Sequence, residues 1–293
     1  MTTEARTKAK AAELQAEELA SRLPPLLVEA ERVAQSVAQG VHGRRRAGSG
    51  DAFWQYRRAG PGDEAGAIDW RRSARSDHLY VRETEWAASQ TVWLWLDSSP
   101  SMHWRSDTQL PTKHSRARLL ILALASLLLK GGERVAALAG GAPCWGNGAL
   151  ARLADSLERA AQTPPVPPER LPRHATLVLA GDFLDPLPEI HSRLTALAQS
   201  GAGGHLLQVL DPAEETLPYA GRLRFQGLEG EGDLETGRAE DLRQDYVRRL
   251  AAHRDGLAAM ARALGWSFAT HRTDSAPAPC LRALAQKVGG LAP

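Results

Sequence analysis

A continuous apolar run, Val92-Trp93-Leu94-Trp95-Leu96, constrains the fold of this chain more than any other segment. Its branched and aromatic residues predict a strand buried on both faces, as found in the middle of α/β sheets. Ligands of such sheets bind just beyond the carboxyl ends of the strands. There the chain has Asp97-Ser98-Ser99-Pro100-Ser101, with one carboxylate and three hydroxyls. These are oxygen ligands of the kind that Mg²⁺ or Mn²⁺ prefers, so the sequence predicts a metal site.

Strands and helices alternate from Thr91 onward, which predicts an α/β fold: a doubly wound, mostly parallel sheet with helices on both faces. The remaining strands are predicted at 134–138, 175–180, 206–210 and 267–271. Helices are predicted at 115–130, 150–161, 239–264 and 280–288.

Two segments of different composition precede this α/β domain, which we place at residues 89–293. Residues 1–40 are rich in Ala, Glu and Leu, and Pro24-Pro25 predicts two helices that meet at a kink. Residues 41–88 are rich in Arg and Trp and lack helical periodicity, which predicts an irregular subdomain containing β structure.

Composition excludes several classes of protein. The hydrophobic fraction of 43% and the charged fraction of 24% are typical of a globular domain, and a net charge of +2 does not indicate a polyanionic partner. Cys144 and Cys280 lack CxxC spacing, so neither a zinc site nor a disulfide framework is predicted. Neither a signal peptide nor an apolar segment of membrane-spanning length is evident. We therefore expect a cytoplasmic protein without direct membrane insertion.

A second carboxylate is expected beside the first. Asp182 follows the predicted strand 175–180, and the carboxyl ends of parallel strands lie at the same edge of a sheet. Asp97, Ser99 and Ser101 have the spacing D-x-S-x-S, which lets one loop turn three oxygens toward a common point. The alternative is that these residues only cap a helix or form an Asx turn. We favour the site, because both carboxylates follow buried strands.

The D-x-S-x-S motif resembles the metal-ion-dependent adhesion site of von Willebrand factor A domains. From about Gly40 to the C-terminus the chain also resembles the bacterial family of domain of unknown function 58. The segments that carry this second resemblance are Gly62-Asp63, Ile68-Asp69-Trp70-Arg71, Ser73-Ala74-Arg75, 79–83, 211–215 and 234–237.

The resemblance implies a von Willebrand A-like fold in which Asp97, Ser99, Ser101 and Asp182 are the metal ligands. It also implies a role beside MoxR-type AAA+ ATPases, in the maturation of complexes or in metal insertion. The family's threonine ligand is expected in the loop after 134–138, but residues 140–147 contain no threonine. Either Asn147 or a water replaces it, or the ion binds weakly.

We predict a non-catalytic protein-interaction module in which Mg²⁺ or Mn²⁺ captures an acidic group of a protein partner. By resemblance, that partner is a MoxR-type AAA+ ATPase or its client. The alternative is a magnesium-dependent phosphatase similar to haloacid dehalogenases, with Asp97 as the nucleophile. That chemistry needs a second carboxylate two residues further on as general acid, where this chain has Ser99. We therefore do not predict an enzyme.

Residues 41–82 contain nine arginines against five carboxylates, with two tryptophans interleaved. Arginines and aromatic residues together are used by nucleic-acid-binding proteins. No nucleic-acid motif is present and the remaining charge is balanced, so we predict no nucleic-acid partner. We favour ion pairs that order the subdomain, between Arg71, Arg72 and Arg75 on one side and Asp63 and Asp69 on the other.

Overall fold

A computed structural model describes residues 25–38, 47–60, 68–76, 78–85, 90–138, 141–160, 171–172, 175–230 and 232–289. The chain divides into two compact units. The larger unit consists of Met1–Val41 and Thr91–Pro293, and the smaller unit is His42–Gln90. The first of the two predicted N-terminal helices lies outside the described residues, and the second is a helix that begins at Pro25.

The described part of the chain contains helices and strands in nearly regular alternation. The helices are α1 (Pro25–Ala38), α2 (Trp70–Ser73), α3 (Lys113–Lys130), α4 (Ala149–Ala160), α5 (Leu187–Ala198), α6 (Pro212–Thr216), α7 (Ala239–Ala263) and α8 (Pro277–Val288). The strands are β1 (Ala47–Arg58), β2 (Tyr80–Glu85), β3 (Thr91–Leu96), β4 (Arg134–Ala137), β5 (Thr176–Gly181), β6 (Gly203–Leu210), β7 (Leu223–Gln226), β8 (Asp233–Thr236) and β9 (Ser267–Arg272).

A five-stranded sheet forms the centre of the larger unit. Its strand order is β4-β3-β5-β6-β9, and every neighbouring pair is parallel. Parallel strands are joined by crossover helices, which lie on both faces of the sheet. The predicted α/β fold class with a mostly parallel sheet is confirmed. The antiparallel hairpin of β7 and β8 adds to this plan a feature that the sequence analysis does not predict.

The alternation of side chains along β3 divides the core into two layers. Val92, Leu94 and Leu96 contribute to one buried cluster together with residues of α1, α3, α4 and α8. Trp93 and Trp95 contribute to a second buried cluster with residues of α5 and α7. Because β3 is packed on both faces, it needs apolar side chains at every position from 92 to 96, as the sequence has.

Helix α3 lies within the first of these clusters and is buried along most of its length. It begins where the Thr112 hydroxyl accepts a hydrogen bond from the Ser115 N–H, and it ends before Gly132, whose φ of 85° is left-handed. Its apolar residues pack against other helices and the sheet. None of the helices among the described residues has both the length and the apolar character needed to cross a membrane.

The outer edge of β4 is covered by a short antiparallel bridge. The Val135 N–H donates to the Cys144 carbonyl at 3.1 Å, and the Cys144 N–H donates to the Val135 carbonyl at 2.7 Å. The Gly141 N–H donates to the Ala137 carbonyl at 3.1 Å. Both backbone groups of Val135 and the carbonyl of Ala137 are therefore hydrogen-bonded within the chain on the outer side of this edge strand.

The smaller unit contains the antiparallel pair β1 and β2 and the short helix α2. The register of the two strands shifts between Gly48 and Phe53 and again between Phe53 and Gln55. Such shifts twist and bend a strand pair. The Asp69 side chain accepts a hydrogen bond from the Arg72 N–H and caps α2, which precedes β2.

Gly204 allows β6 to pack against Trp266, because a Cβ there would lie 2.1 Å from the indole ring. The indole is buried and its Nε1–H donates to the Ala202 carbonyl at 3.0 Å, so it has no room to move aside. We expect Gly204→Ala to lower the free energy of unfolding by about 1–3 kcal/mol. Urea denaturation measures this loss.

Gly203→Ala is the matched control for that substitution. A Cβ at Gly203 meets no atom within 4 Å, so the change should stay within about 0.5 kcal/mol. Equal losses in the two variants would mean that the close approach of Trp266 is not what requires glycine at 204.

Candidate functional site

The residues that follow β3 and β5 lie at the carboxyl edge of the sheet, and we call this edge the rim. Asp97 follows β3 and Asp182 follows β5, and these two strands are adjacent. The Asp97 N–H donates to the Ala180 carbonyl at 2.8 Å. A Cβ at Gly181 would lie 2.9 Å from the Asp97 Cβ, so glycine permits this close approach. The two predicted carboxylates therefore lie at the same edge.

Hydroxyl groups connect the two strand ends. The Asp97 Oδ1 accepts the Ser99 N–H at 2.9 Å, which is an Asx turn, so the local turn weighed as the alternative is also present. The Ser99 and Ser101 hydroxyl oxygens are 3.2 Å apart, and the Ser101 hydroxyl donates to the Asp182 Oδ2 at 2.6 Å. The structure thus brings the four residues predicted as metal ligands into one hydrogen-bonded network.

Lys113, the first residue of α3, lies at the rim and is absent from the predicted site. Its Nζ donates to the Asp182 Oδ2 at 2.8 Å and to the Glu214 Oε1 at 2.5 Å, and the residue is only 1% exposed. Burial alone would lower the pKa of the ammonium, but the two carboxylates outweigh burial and hold that pKa above its usual value. Lys113 therefore carries its charge at neutral pH.

The segment 211–217 holds the partner of Lys113 in place. Asp211 caps α6, because its Oδ1 accepts the Ala213 N–H, while the Glu214 Oε2 accepts the Asp211 N–H at 2.8 Å. The Asp211 Oδ2 accepts the Ser106 N–H at 3.0 Å. These carboxylates orient α6 against the rim. Residues 211–215 are one of the segments that carry the family resemblance. That resemblance is the one sequence signal that points to Glu214.

Asp97 has a different environment from Asp182. Within the described residues, no basic side chain forms an ion pair with Asp97. Burial raises the pKa of its carboxyl group, the Ser99 N–H hydrogen bond opposes this, and the charges of Asp182 and Glu229 raise it further. Glu229 is near because its Oε1 accepts the Ser101 N–H at 3.2 Å. The rim therefore holds an excess of negative charge around Asp97.

The donor set fits a hard cation such as Mg²⁺. All four side chains offer oxygen, the ligand atom that such a cation prefers. The described residues contain no group of three or more His, Cys, Asp or Glu side chains placed to hold a metal. A metal site at the rim would therefore rely on the two serine hydroxyls as well. Because Lys113 already neutralises Asp182, Asp97 would supply most of the attraction.

Asn147, the predicted substitute for the family's threonine, lies in an exposed turn. Its carbonyl accepts the Arg152 Nη1–H at 3.0 Å. In the described structure no hydrogen bond joins it to the rim residues, so the geometry gives it no part in the site.

Within the described structure, the side chains of Arg71, Arg72 and Arg75 form no ion pair with Asp69. The Asp69 Oδ1 accepts the backbone N–H of Arg72 at 2.9 Å, and its Oδ2 accepts the Tyr56 hydroxyl at 3.1 Å. Helix capping and the tyrosine hydroxyl are therefore two of the interactions that this carboxylate makes. Asp63, the other predicted partner, lies outside the described residues.

A family model described as "Protein of unknown function DUF58" matches residues 55–256, well over half of the chain. This chain is a member of the DUF58 family. The match includes the Asp97 loop, Lys113, Asp182 and the capped segment around Glu214. The resemblance noted from the sequence is therefore confirmed for the family.

Relatives of this DUF58 chain occur in mycobacteria. "Uncharacterized protein Rv1480" of Mycobacterium tuberculosis strain H37Rv is 29% identical over 290 residues, covering 87% of this chain and 85% of that protein. "Uncharacterized protein Mb1516" of Mycobacterium bovis gives the same values. "Uncharacterized protein MAV169" of Mycobacterium avium is 33% identical over 139 residues, covering 45% of this chain and 72% of that protein.

Two solved structures from Bacteroides also align with this DUF58 chain. The conserved hypothetical protein BatB from Bacteroides thetaiotaomicron has a TM-score of 0.35 and 17% identity, covering 69% of this chain and 98% of that chain. An aerotolerance-related membrane protein from Bacteroides fragilis has a TM-score of 0.37 and 16% identity, covering 69% of this chain and 100% of that chain. Similarity at this level carries no conclusion about function.

Replacing Lys113 by Met should destabilise the protein strongly. The substitution keeps the long stem but leaves Asp182 and Glu214 without a cation in a buried place. We expect the free energy of unfolding at pH 7 to fall by about 3–5 kcal/mol, measured by urea denaturation. The loss should shrink at acidic pH, because burial raises the pKa of Glu214 and its protonation removes one of the unpaired charges.

Lys130→Met, at the other end of α3, is the matched control. Lys130 is exposed, so its loss should change stability by less than about 1 kcal/mol. A similar effect of both substitutions would show that the buried pairing of Lys113 is not a major contributor to stability.

Proposed function

We propose that this chain is a non-catalytic protein-interaction module whose rim binds Mg²⁺ or Mn²⁺ and captures an acidic group of a partner protein. The observation that carries the proposal is Asp97: its carboxylate is removed from most solvent and has no basic partner among the described residues. The hydroxyls of Ser99 and Ser101 and the second carboxylate, Asp182, lie beside it. A divalent cation would offset the negative charge gathered there.

Each residue of the rim has a distinct part in this proposal. Asp97 is the charged ligand, and Ser99 and Ser101 are neutral ligands from the same loop. Asp182 is oriented by the Ser101 hydroxyl and by Lys113, which donate to the same carboxylate oxygen. The bound ion supplies a Lewis-acidic position that accepts a carboxylate oxygen from the partner.

Lys113 adjusts the charge of the proposed site. It neutralises Asp182, so that fewer net negative charges surround the ion than the number of carboxylates suggests. A cation that is only partly neutralised by its protein ligands keeps its attraction for an additional carboxylate. This feature supports capture of an acidic partner over mere structural storage of an ion.

The proposed partner is a MoxR-type AAA+ ATPase or its client, with a role in the maturation of protein complexes. Membership of the DUF58 family supports this assignment through the resemblance described above. The proposal places the interaction in the cytoplasm and assigns no covalent chemistry to this chain. A hydroxyl at Ser99, where the phosphatase alternative needs an acid, supports a non-catalytic function.

Metal binding is tested by calorimetric titration of Mn²⁺ and Mg²⁺ into the chelator-treated protein. We expect binding by the unmodified chain and at least a tenfold weaker affinity in Asp97→Asn, which removes the charge at nearly constant size. Asp155→Asn, on the exposed side of α4, is the control and should bind as the unmodified chain does. Absence of binding, or equal loss in both variants, would contradict the metal site.

Capture of the partner is tested separately with the MoxR-type ATPase from the same organism. Co-purification should need the divalent ion, should be abolished by a chelator and should be lost in Asp97→Asn. Lys113→Gln should bind less of the partner at equal protein concentration. Complex formation that persists in the chelator would reject the metal bridge. Phosphatase turnover that Asp97→Asn abolishes would instead favour the enzyme alternative.

A further inference from the structure

The smaller unit contains a cleft of about 410 Å³ that the proposed function does not use. Arginines and tyrosines dominate its walls, which are formed by residues of β1, α2 and β2 and by the turn after α2. The lining residues used below are Tyr56, Asp69, Arg71, Arg72, Arg75 and Tyr80. A volume of this size is within the range of small-molecule sites in proteins, which is about 300–1,000 Å³.

Arg72 is fixed in this cleft by aromatic rings. Its guanidinium carbon lies 4.5 Å from the centroid of the Tyr56 ring and 5.4 Å from the centroid of the Tyr80 ring. Cation–π contacts hold a guanidinium group in position without cancelling its charge. They also leave its N–H groups available, because an aromatic face does not satisfy them as a carboxylate does. Arg72 is thereby preorganised as a donor.

Arg71 and Arg75 add two further guanidinium groups to the same cleft. Arg75 lies in the turn after α2, where its N–H donates to the Arg72 carbonyl at 3.1 Å, and it lines the cleft together with Arg71 and Arg72. Among the described residues no carboxylate forms an ion pair with any of the three. The one acidic lining residue, Asp69, accepts the Arg72 N–H and the Tyr56 hydroxyl. The cleft therefore has a net positive charge.

We propose that this cleft binds a phosphate-bearing small molecule through its phosphoryl or pyrophosphoryl group. Guanidinium groups match the oxygens of phosphate with paired hydrogen bonds, and arginine is preferred wherever such planar recognition is needed. A phosphate monoester carries about −1.5 to −2 charges at neutral pH. Such an anion matches three guanidinium groups better than a single carboxylate does.

The dimensions of the cleft distinguish this ligand from a nucleic acid. An interface for a polynucleotide follows the backbone over several nucleotides with an extended basic groove. Here the three arginines line one open cleft and lie within a few residues of one another in the sequence. The proposal is independent of the metal site, because every group it uses belongs to the smaller unit.

The test is calorimetric titration of inorganic pyrophosphate into the full chain in the presence of a chelator. The chelator removes divalent ions, so the rim site cannot contribute to binding of the probe. We expect the unmodified chain to bind pyrophosphate, and Arg71→Gln, Arg72→Gln and Arg75→Gln each to weaken the affinity at least tenfold. Arg71 and Arg75 are exposed and make no side-chain hydrogen bond within the described structure, so their variants should fold normally.

Arg222→Gln is the matched control, since it removes one exposed guanidinium from the larger unit and should bind as the unmodified chain does. Failure of the unmodified chain to bind pyrophosphate would overturn the proposal, as would an equal loss in Arg222→Gln. Succinate bound as tightly as pyrophosphate would overturn the preference for phosphate. Affinity that rises steadily with the length of a single-stranded oligonucleotide would overturn the small-ligand assignment in favour of a nucleic-acid interface.

Discussion

An ammonium group with almost no contact with water persists in a folded protein only when carboxylates surround it. Lys113 meets this requirement with Asp182 and Glu214, and the three side chains come from separate elements of the fold. The pairing ties the start of α3 to the end of β5 and to the capped helix α6. The loop that carries Asp97 is built on this anchored corner.

The two aspartates of the rim differ because of that pairing. Asp182 has a cation and a hydroxyl on one of its oxygens, while Asp97 has only its own turn and the neighbouring negative charges. Two carboxylates on adjacent strands thus have different electrostatic surroundings. Such a difference between neighbouring acidic groups is characteristic of functional sites rather than of surface charge. The asymmetry arises from Lys113, a residue outside the recognised motif.

The sequence predicted those parts of the fold in which a local pattern of residues is compatible with only one structure. The run 92–96 must be buried on both faces, and residues that follow parallel strands must share an edge, so β3, Asp97 and Asp182 were placed correctly. Helix α5 is absent from the sequence prediction although its buried residues Ile190, Leu194 and Leu197 have the i, i+4, i+7 spacing of an amphipathic helix. The hairpin of β7 and β8 was missed because each strand has only four residues, and five of these eight residues are exposed.

Lys113 and Asp69 both make contacts that the sequence analysis did not predict. Lys113 was overlooked because a lysine at the start of a helix usually faces water, and only the tertiary fold directs it into the rim. Asp69 accepts hydrogen bonds from a nearby backbone N–H, that of Arg72, and from the Tyr56 hydroxyl. Local hydrogen bonds of this kind compete with long-range ones, and composition alone does not decide between them.

The bridge between Val135 and Cys144 has a consequence for the behaviour of the protein at high concentration. The exposed edge of a parallel sheet is a template on which strands of other molecules can add, and it leads to aggregation. Here both backbone groups of Val135 and the Ala137 carbonyl are already occupied by Cys144 and Gly141. On that side the sheet terminates itself, and further growth would first require the 141–144 segment to detach.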